Sequence, residues 1–191
     1  MPLGAWTITE AVKARAALGS DATVTVNVNL SARQLVEPGL ADAIHYELAA
    51  YSLEPHTVGF EVTETLAIRD VDLAIRVIAE IRSLGCNVGI DDFGTGYASL
   101  AYLHRLPVNF MKIDRSFVGG LGLDPCTDAL VEAMVAMARA LQLEVVAEGI
   151  ETELQHDRLT AMGCTYAQGY LYGKPRASLD RAIAAPNGHR H

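Results

Sequence analysis

Six polar residues stand where chemistry could be done: Asn29, Glu61, Asp91, Lys112, Glu148 and Gln168 each close a short apolar run. Such runs read as strands, and the C-terminal ends of parallel strands form one rim, where α/β barrels and open sheets keep their reacting groups. Asp92 adjoins Asp91 and opens the sharply bent stretch Phe93-Gly94-Thr95-Gly96-Tyr97. Carboxylates gathered in one place repel one another unless a cation sits among them. Asn29, Glu61, Asp91 and Asp92 offer oxygens suited to Mg²⁺ or Mn²⁺, and the set holds no His or Cys that would favour zinc. With Lys112 to orient or polarise a water and Glu148 as a base, the set suits metal-assisted attack of water on a phosphodiester.

Taken singly, each residue has a plainer role. An acid at a strand end is usually a helix cap or a surface ion pair; Asp91 with Asp92 could be a turn pair capping the next helix. Lys112 could be a snorkelling rim lysine, and Asn27 and Asn29 could bond the local backbone. The common register of the six favours a site. By the two-residue period of a strand, Asn27 with Asn29, Gly59 with Glu61, Gly89 with Asp91, Phe110 with Lys112, and Val146 with Glu148 share faces.

The elements that would carry these residues alternate. Strands are predicted over residues 23–30, 58–62, 86–90, 110–113, 144–147 and 165–168. Between and around them, helical periodicity covers 6–18, 40–51, 68–84, 100–106, 127–141, 153–162 and 179–184. Thr7 with Glu10 fits a capping box for the first helix, and Gly85 fits the C-terminal cap of the 68–84 helix. Six strands alternating with helices, without hairpin signals, mean a parallel sheet. Either an incomplete (β/α) barrel or a doubly wound open sheet satisfies this pattern.

The chain of 191 residues is expected to form a single domain over 1–185 with a disordered tail, 186–191. A formal net charge of −8 argues against binding a nucleic-acid polymer or anionic lipid without specific contacts. The three widely spaced cysteines, Cys86, Cys126 and Cys164, read as reduced, mostly buried thiols of a cytoplasmic protein. No apolar run reaches the roughly 18 residues of a membrane span.

Taken together, Val28-Asn29-Leu30-Ser31-Ala32-Arg33-Gln34-Leu35, Glu61-Val62-Thr63-Glu64, Asp91-Asp92-Phe93-Gly94-Thr95-Gly96-Tyr97, Lys112-Ile113-Asp114, Ala147-Glu148-Gly149-Ile150-Glu151 and Gln168-Gly169-Tyr170 give a specific pattern. It resembles the EAL domain, the bacterial cyclic-di-GMP-specific phosphodiesterase family. The resemblance implies a modified TIM-type (β/α) barrel with two divalent cations, Mg²⁺ or Mn²⁺, hydrolysing cyclic-di-GMP to linear pGpG. It implies that Asn29, Glu61 and Asp91 are metal ligands, that Asp92 is a ligand of the second metal, and that Lys112 holds a metal-bound water. Glu148 matches the general base or its partner, and Glu64 the acid that supports the loop after Asp91. Gln168 falls at the substrate end of the site, and the 91–106 loop and helix on a homodimer surface.

Besides two minor departures from the family pattern, Ala98 where Ser is usual and Ile150 where Val is usual, there is a large one: no Glu-Ala-Leu-Leu-Arg stretch occurs among these residues. The resemblance then implies an incomplete barrel, about six of the family's eight strands with the first two missing, and weakened metal binding and turnover. A non-catalytic EAL module that binds cyclic-di-GMP or a partner protein is the alternative. An aldolase-like reading, with Lys112 as Schiff-base nucleophile, conflicts with the acidic rim, which would keep a lysine protonated.

Overall fold

A computed structural model describes residues 3–19, 24–96 and 100–175. Six parallel strands form one sheet: β1 (Val26–Leu30), β2 (Val58–Thr63), β3 (Asn87–Phe93), β4 (Phe110–Ile113), β5 (Glu144–Ala147) and β6 (Tyr166–Ala167). Their order in the sheet is their order in the chain. A doubly wound sheet reverses its strand order at a switch point. No reversal occurs here, and the architecture is that of an incomplete TIM-type barrel.

Alternation along the strands explains what packs where. Val58, Phe60 and Val62 of β2, Val88 and Ile90 of β3, and Met111 and Ile113 of β4 are buried. They share one core with helical residues, among them Ile44 and Leu48 of α3 (Leu40–Ala50), Ile78 and Ile81 of α5 (Val71–Ser83), and Val131 and Val135 of α8 (Pro125–Ala140). The other strand face carries Glu61, Asp91 and Lys112, which is why these polar residues meet on the far side of the sheet from the helices.

Several helices differ from the sequence expectation. The first, α1 (Leu3–Ala17), begins before the expected Thr7 cap; Thr7 lies inside it, its hydroxyl donating to the Gly4 carbonyl at 2.8 Å. The expected 68–84 helix is two, α4 (Glu64–Arg69) and α5, broken at Asp70, whose carboxylate accepts from the Leu73 N–H at 3.0 Å. Aspartate competes with a helix for its own backbone donors, so a cap wins over continuity there. One-turn helices absent from the periodicity are α2 (Ala32–Leu35), opened by a Ser31–Gln34 capping box, and α7 (Arg115–Val118), capped by Asp114. The helix α6 (Leu100–Leu103) is shorter than expected, and α9 (Glu153–Met162) begins and ends where predicted. Gly85 follows α5 with φ of 95°, as its expected capping role requires. The expected 179–184 helix and the 186–191 tail lie outside the described residues.

All three cysteines are free; Cys86 is buried, Cys164 partly so, and Cys126 is exposed, against the expectation of mostly buried thiols. Burial pushes the Cys86 thiol up to about 11. Among the described residues, no helix is long and apolar enough to cross a membrane.

Just beyond β5 and β6 the backbones pack closely. Gly169 lies against the Ile150 backbone, where an added Cβ would collide with main-chain N, C and O atoms. The Ile150 N–H donates to the Gln168 carbonyl at 3.1 Å, and the Ile150 carbonyl accepts from Leu171 N–H at 3.0 Å. Gly169→Ala is expected to destabilise the fold by about 3 kcal/mol, because backbone cannot yield as a side chain does; urea unfolding measures the loss.

Candidate metal centre

Strands β2, β3 and β4, and the residue that follows β5, bring ionisable side chains to a single cluster. Lys112, next to last in β4, places Nζ 2.7 Å from Glu61 Oε2, 3.0 Å from Asp91 Oδ1 and 2.7 Å from Glu148 Oε1. Glu61 comes from β2 and Asp91 from β3. Glu148 follows β5 directly, its N–H donating to the Ile113 carbonyl at 3.1 Å. Lys112, Glu61 and Asp91 retain 6%, 4% and 7% of their surface, so water screens these charges little.

The two adjacent aspartates need a local irregularity. Successive residues of a regular strand point to opposite faces. Pairing between β3 and β4 shifts register between Ile90 and Phe93, and Asp92 adopts a left-handed conformation with φ of 54°. With this bulge, carboxylate oxygens of Asp91, Asp92 and Glu148 all lie within 4.8 Å of one another, close enough to hold one metal ion. Three hard oxygen donors without nitrogen or sulfur fit Mg²⁺ or Mn²⁺ chemistry.

One ammonium cannot balance this set. Burial alone would lower the Lys112 pKa, but its hydrogen bonds to Glu148 and Glu61 outweigh burial and hold it well above the usual lysine value. A pKa held up in this way favours the charged ammonium and runs against the Schiff-base reading. Burial raises the Glu61 pKa, and the Lys112 hydrogen bond opposes it only in part. Burial also raises the Asp92 pKa, with the charges of Asp91 and Asp114 adding to the shift. Both carboxylates are thus destabilised as anions, a condition that an added cation relieves.

The remaining expected site residues take different positions. Asn29 is exposed on β1 and paired in register with Glu61. Glu64, first residue of α4, is buried; its Oε2 accepts from the Gly94 N–H at 2.8 Å, tying down the loop after β3. Its Oε1 has no hydrogen-bond partner among the described residues. Gln168 is exposed beyond the edge strand β6, its N–H donating to the Ala147 carbonyl at 2.8 Å. Residues 97–99 of the loop lie outside the described residues.

Two features were not drawn from the sequence. Glu148, expected as a base, also lies where a ligand would, and Asn27 donates to Glu61 Oε1 at 2.9 Å. The shared parity of Asn27 and Asn29 was the available signal for the second.

The sheet and its acidic rim define a barrel-type α/β protein with a candidate divalent-cation site. Residues 2–175 match the family described as EAL domain, and the chain belongs to that family. It is 43% identical over 175 residues to the bifunctional diguanylate cyclase/cyclic di-GMP phosphodiesterase MucR of Pseudomonas aeruginosa, covering 91% of this chain and 26% of that protein. It is 39% identical over 181 residues to the cyclic di-GMP phosphodiesterase PdeR of Escherichia coli, covering 94% of this chain and 27% of that protein. The chain thus spans about a quarter of the length of these relatives. Among solved structures, the PaMucR phosphodiesterase in its c-di-GMP complex superposes with a TM-score of 0.87 at 42% identity, covering 94% of this chain and 73% of that one. The EAL domain of Mycobacterium smegmatis DcpA gives 0.89 at 35% identity, covering 96% and 83%.

Removing the ammonium strands three carboxylates. Lys112→Met is expected to cost about 3–5 kcal/mol in EDTA at neutral pH, with Mn²⁺ recovering part of it, as read by urea unfolding. Asp92→Asn keeps the left-handed conformation and deletes a carboxylate whose pKa is raised on folding. A raised folded-state pKa favours the fold below the unfolded pKa, and this stabilisation is lost as pH rises through the folded pKa. Asp92→Asn should therefore raise the metal-free melting temperature at pH 7, with the gain vanishing in the acid range; thermal melts across pH measure it.

Proposed function

We propose that this chain is a phosphodiesterase module of the EAL type, acting on cyclic-di-GMP to release linear pGpG with two divalent cations, Mg²⁺ or Mn²⁺. The observation that carries the reading is the convergence of Asp91, Asp92 and Glu148 beside a charged, buried Lys112, in a family whose relatives include named cyclic di-GMP phosphodiesterases. Asp91, Asp92 and Glu148 would hold a cation, with Asn29 and Glu61 completing the ligand set. When bound, such ions polarise phosphoryl oxygens and lower the pKa of water.

The chain's own residues set the rest. Lys112 hydrogen-bonds Glu61 and Glu148 and pairs with Asp91 at 3.0 Å. A third N–H, or one released from these partners, would orient a water at a scissile phosphate. Glu148, the least buried of the three, is the carboxylate free to move and to accept the proton of the attacking water. Glu64 keeps the following loop in place through Gly94, and Gln168 faces the substrate end. The 91–106 loop and helix would provide a homodimer face, and the free thiols suit a cytoplasmic setting.

The Glu-Ala-Leu-Leu-Arg stretch is not among these 191 residues, and with it a ligand and a substrate-contacting arginine are not supplied by them. Turnover by this polypeptide alone should therefore be weak, and this is the observation behind a second reading, a module that binds cyclic-di-GMP without hydrolysing it. Incubation of the purified chain with cyclic-di-GMP and Mn²⁺, followed by chromatography for pGpG, distinguishes the two. Slow pGpG formation that stops in Asp91→Asn and in EDTA is the expected result. Calorimetric binding without product supports the binding module, and neither binding nor product overturns both.

A further inference from the structure

Asn27 has no role in the reading above, yet its side chain contacts the site. The strand β1 carries Asn27 and Asn29 on one face, and the sheet register sets Asn27 beside Gly59 and Asn29 beside Glu61. Asn27 Nδ2 donates to Glu61 Oε1 at 2.9 Å, while Lys112 Nζ donates to Oε2 at 2.7 Å. A carboxylate offers only acceptors, so the contact fixes which way the Asn27 amide points. Gly59 makes the space: a Cβ there would run into Asn27 Oδ1. Each oxygen of Glu61 is thus held by a donor from a different strand, which fixes the plane of the carboxylate.

We infer that Asn27 is a positioning residue that acts through Glu61. It holds Oε1 toward β1 so that Oε2 stays on the Lys112 side, among the oxygens that would face a cation. The inference rests on the proposed cation-dependent reading. Groups that orient a ligand or its neighbours typically change metal affinity by about 10- to 100-fold when removed.

The test is Mn²⁺ binding by calorimetry without nucleotide, on the parent chain, Asn27→Ala, Asn27→Leu, Glu61→Ala and the Asn27→Ala/Glu61→Ala double variant, with circular dichroism confirming that each is folded. Asn27→Ala should bind Mn²⁺ about tenfold more weakly. Asn27→Leu, of similar size but uncharged and without the donor, should not restore affinity. In the Glu61→Ala background the Asn27→Ala change should have no further effect, as required of a residue acting through Glu61. A parent that binds Mn²⁺ while Asn27→Ala binds equally, a full additive loss in the double variant, or restoration by Asn27→Leu overturns the role of Asn27 alone. A folded parent that binds no Mn²⁺ overturns the cation reading and this inference with it.

Discussion

Lys112 is a buried ammonium held by carboxylates from three other strand ends, and the arrangement of the rim depends on it. Burying one charge is costly, and burying several is tolerated only when opposite charges and hydrogen bonds compensate. Here a single cation bonds Glu61, Asp91 and Glu148 and leaves negative charge in excess. The sheet is thereby fastened across its polar face, from β2 to the end of β5, in addition to its backbone ladder. The residual negative charge is what would draw a further cation to the cluster.

The fold supplies this constellation through two regularities and one exception. Parallel strands in sequential order bring their C-terminal ends to one edge, and the two-residue period puts Glu61, Asp91 and Lys112 on one face. Glycines at 59 and 89 keep that face from crowding; a Cβ at either would strike Asn27 or Phe110. The exception is the bulge after Ile90, with Asp92 in a left-handed conformation. Without it two adjacent aspartates would point to opposite sides of the sheet. The Glu64 contact with Gly94 then holds the chain as it leaves this irregular segment.

Much of this was legible in the residues. The strands at 110–113 and 144–147 and the helix at 153–162 begin and end where their apolar patterns do, and strand parity alone put Glu61, Asp91 and Lys112 together. Less legible were features settled by competition between local and tertiary effects. Apolar periodicity runs through Asp70, but its carboxylate captures the Leu73 N–H and breaks the helix. Barrel-like and doubly wound orders share the same alternation of elements, because adjacency in the sheet is not written in any one segment. The link from Asn27 to Glu61 depends on the register of β1 against β2, and the approach of Asp92 to Glu148 on a bulge; neither follows from spacing.

The central claim is that the acidic cluster around Lys112 is a divalent-cation site. Crystals soaked in Mn²⁺ and measured at a wavelength where manganese scatters anomalously test it most directly. The account predicts an anomalous peak bonded to carboxylate oxygens of Asp91, Asp92 and Glu148. A well-ordered structure in which those carboxylates still surround Lys112 and no peak lies among them would contradict it.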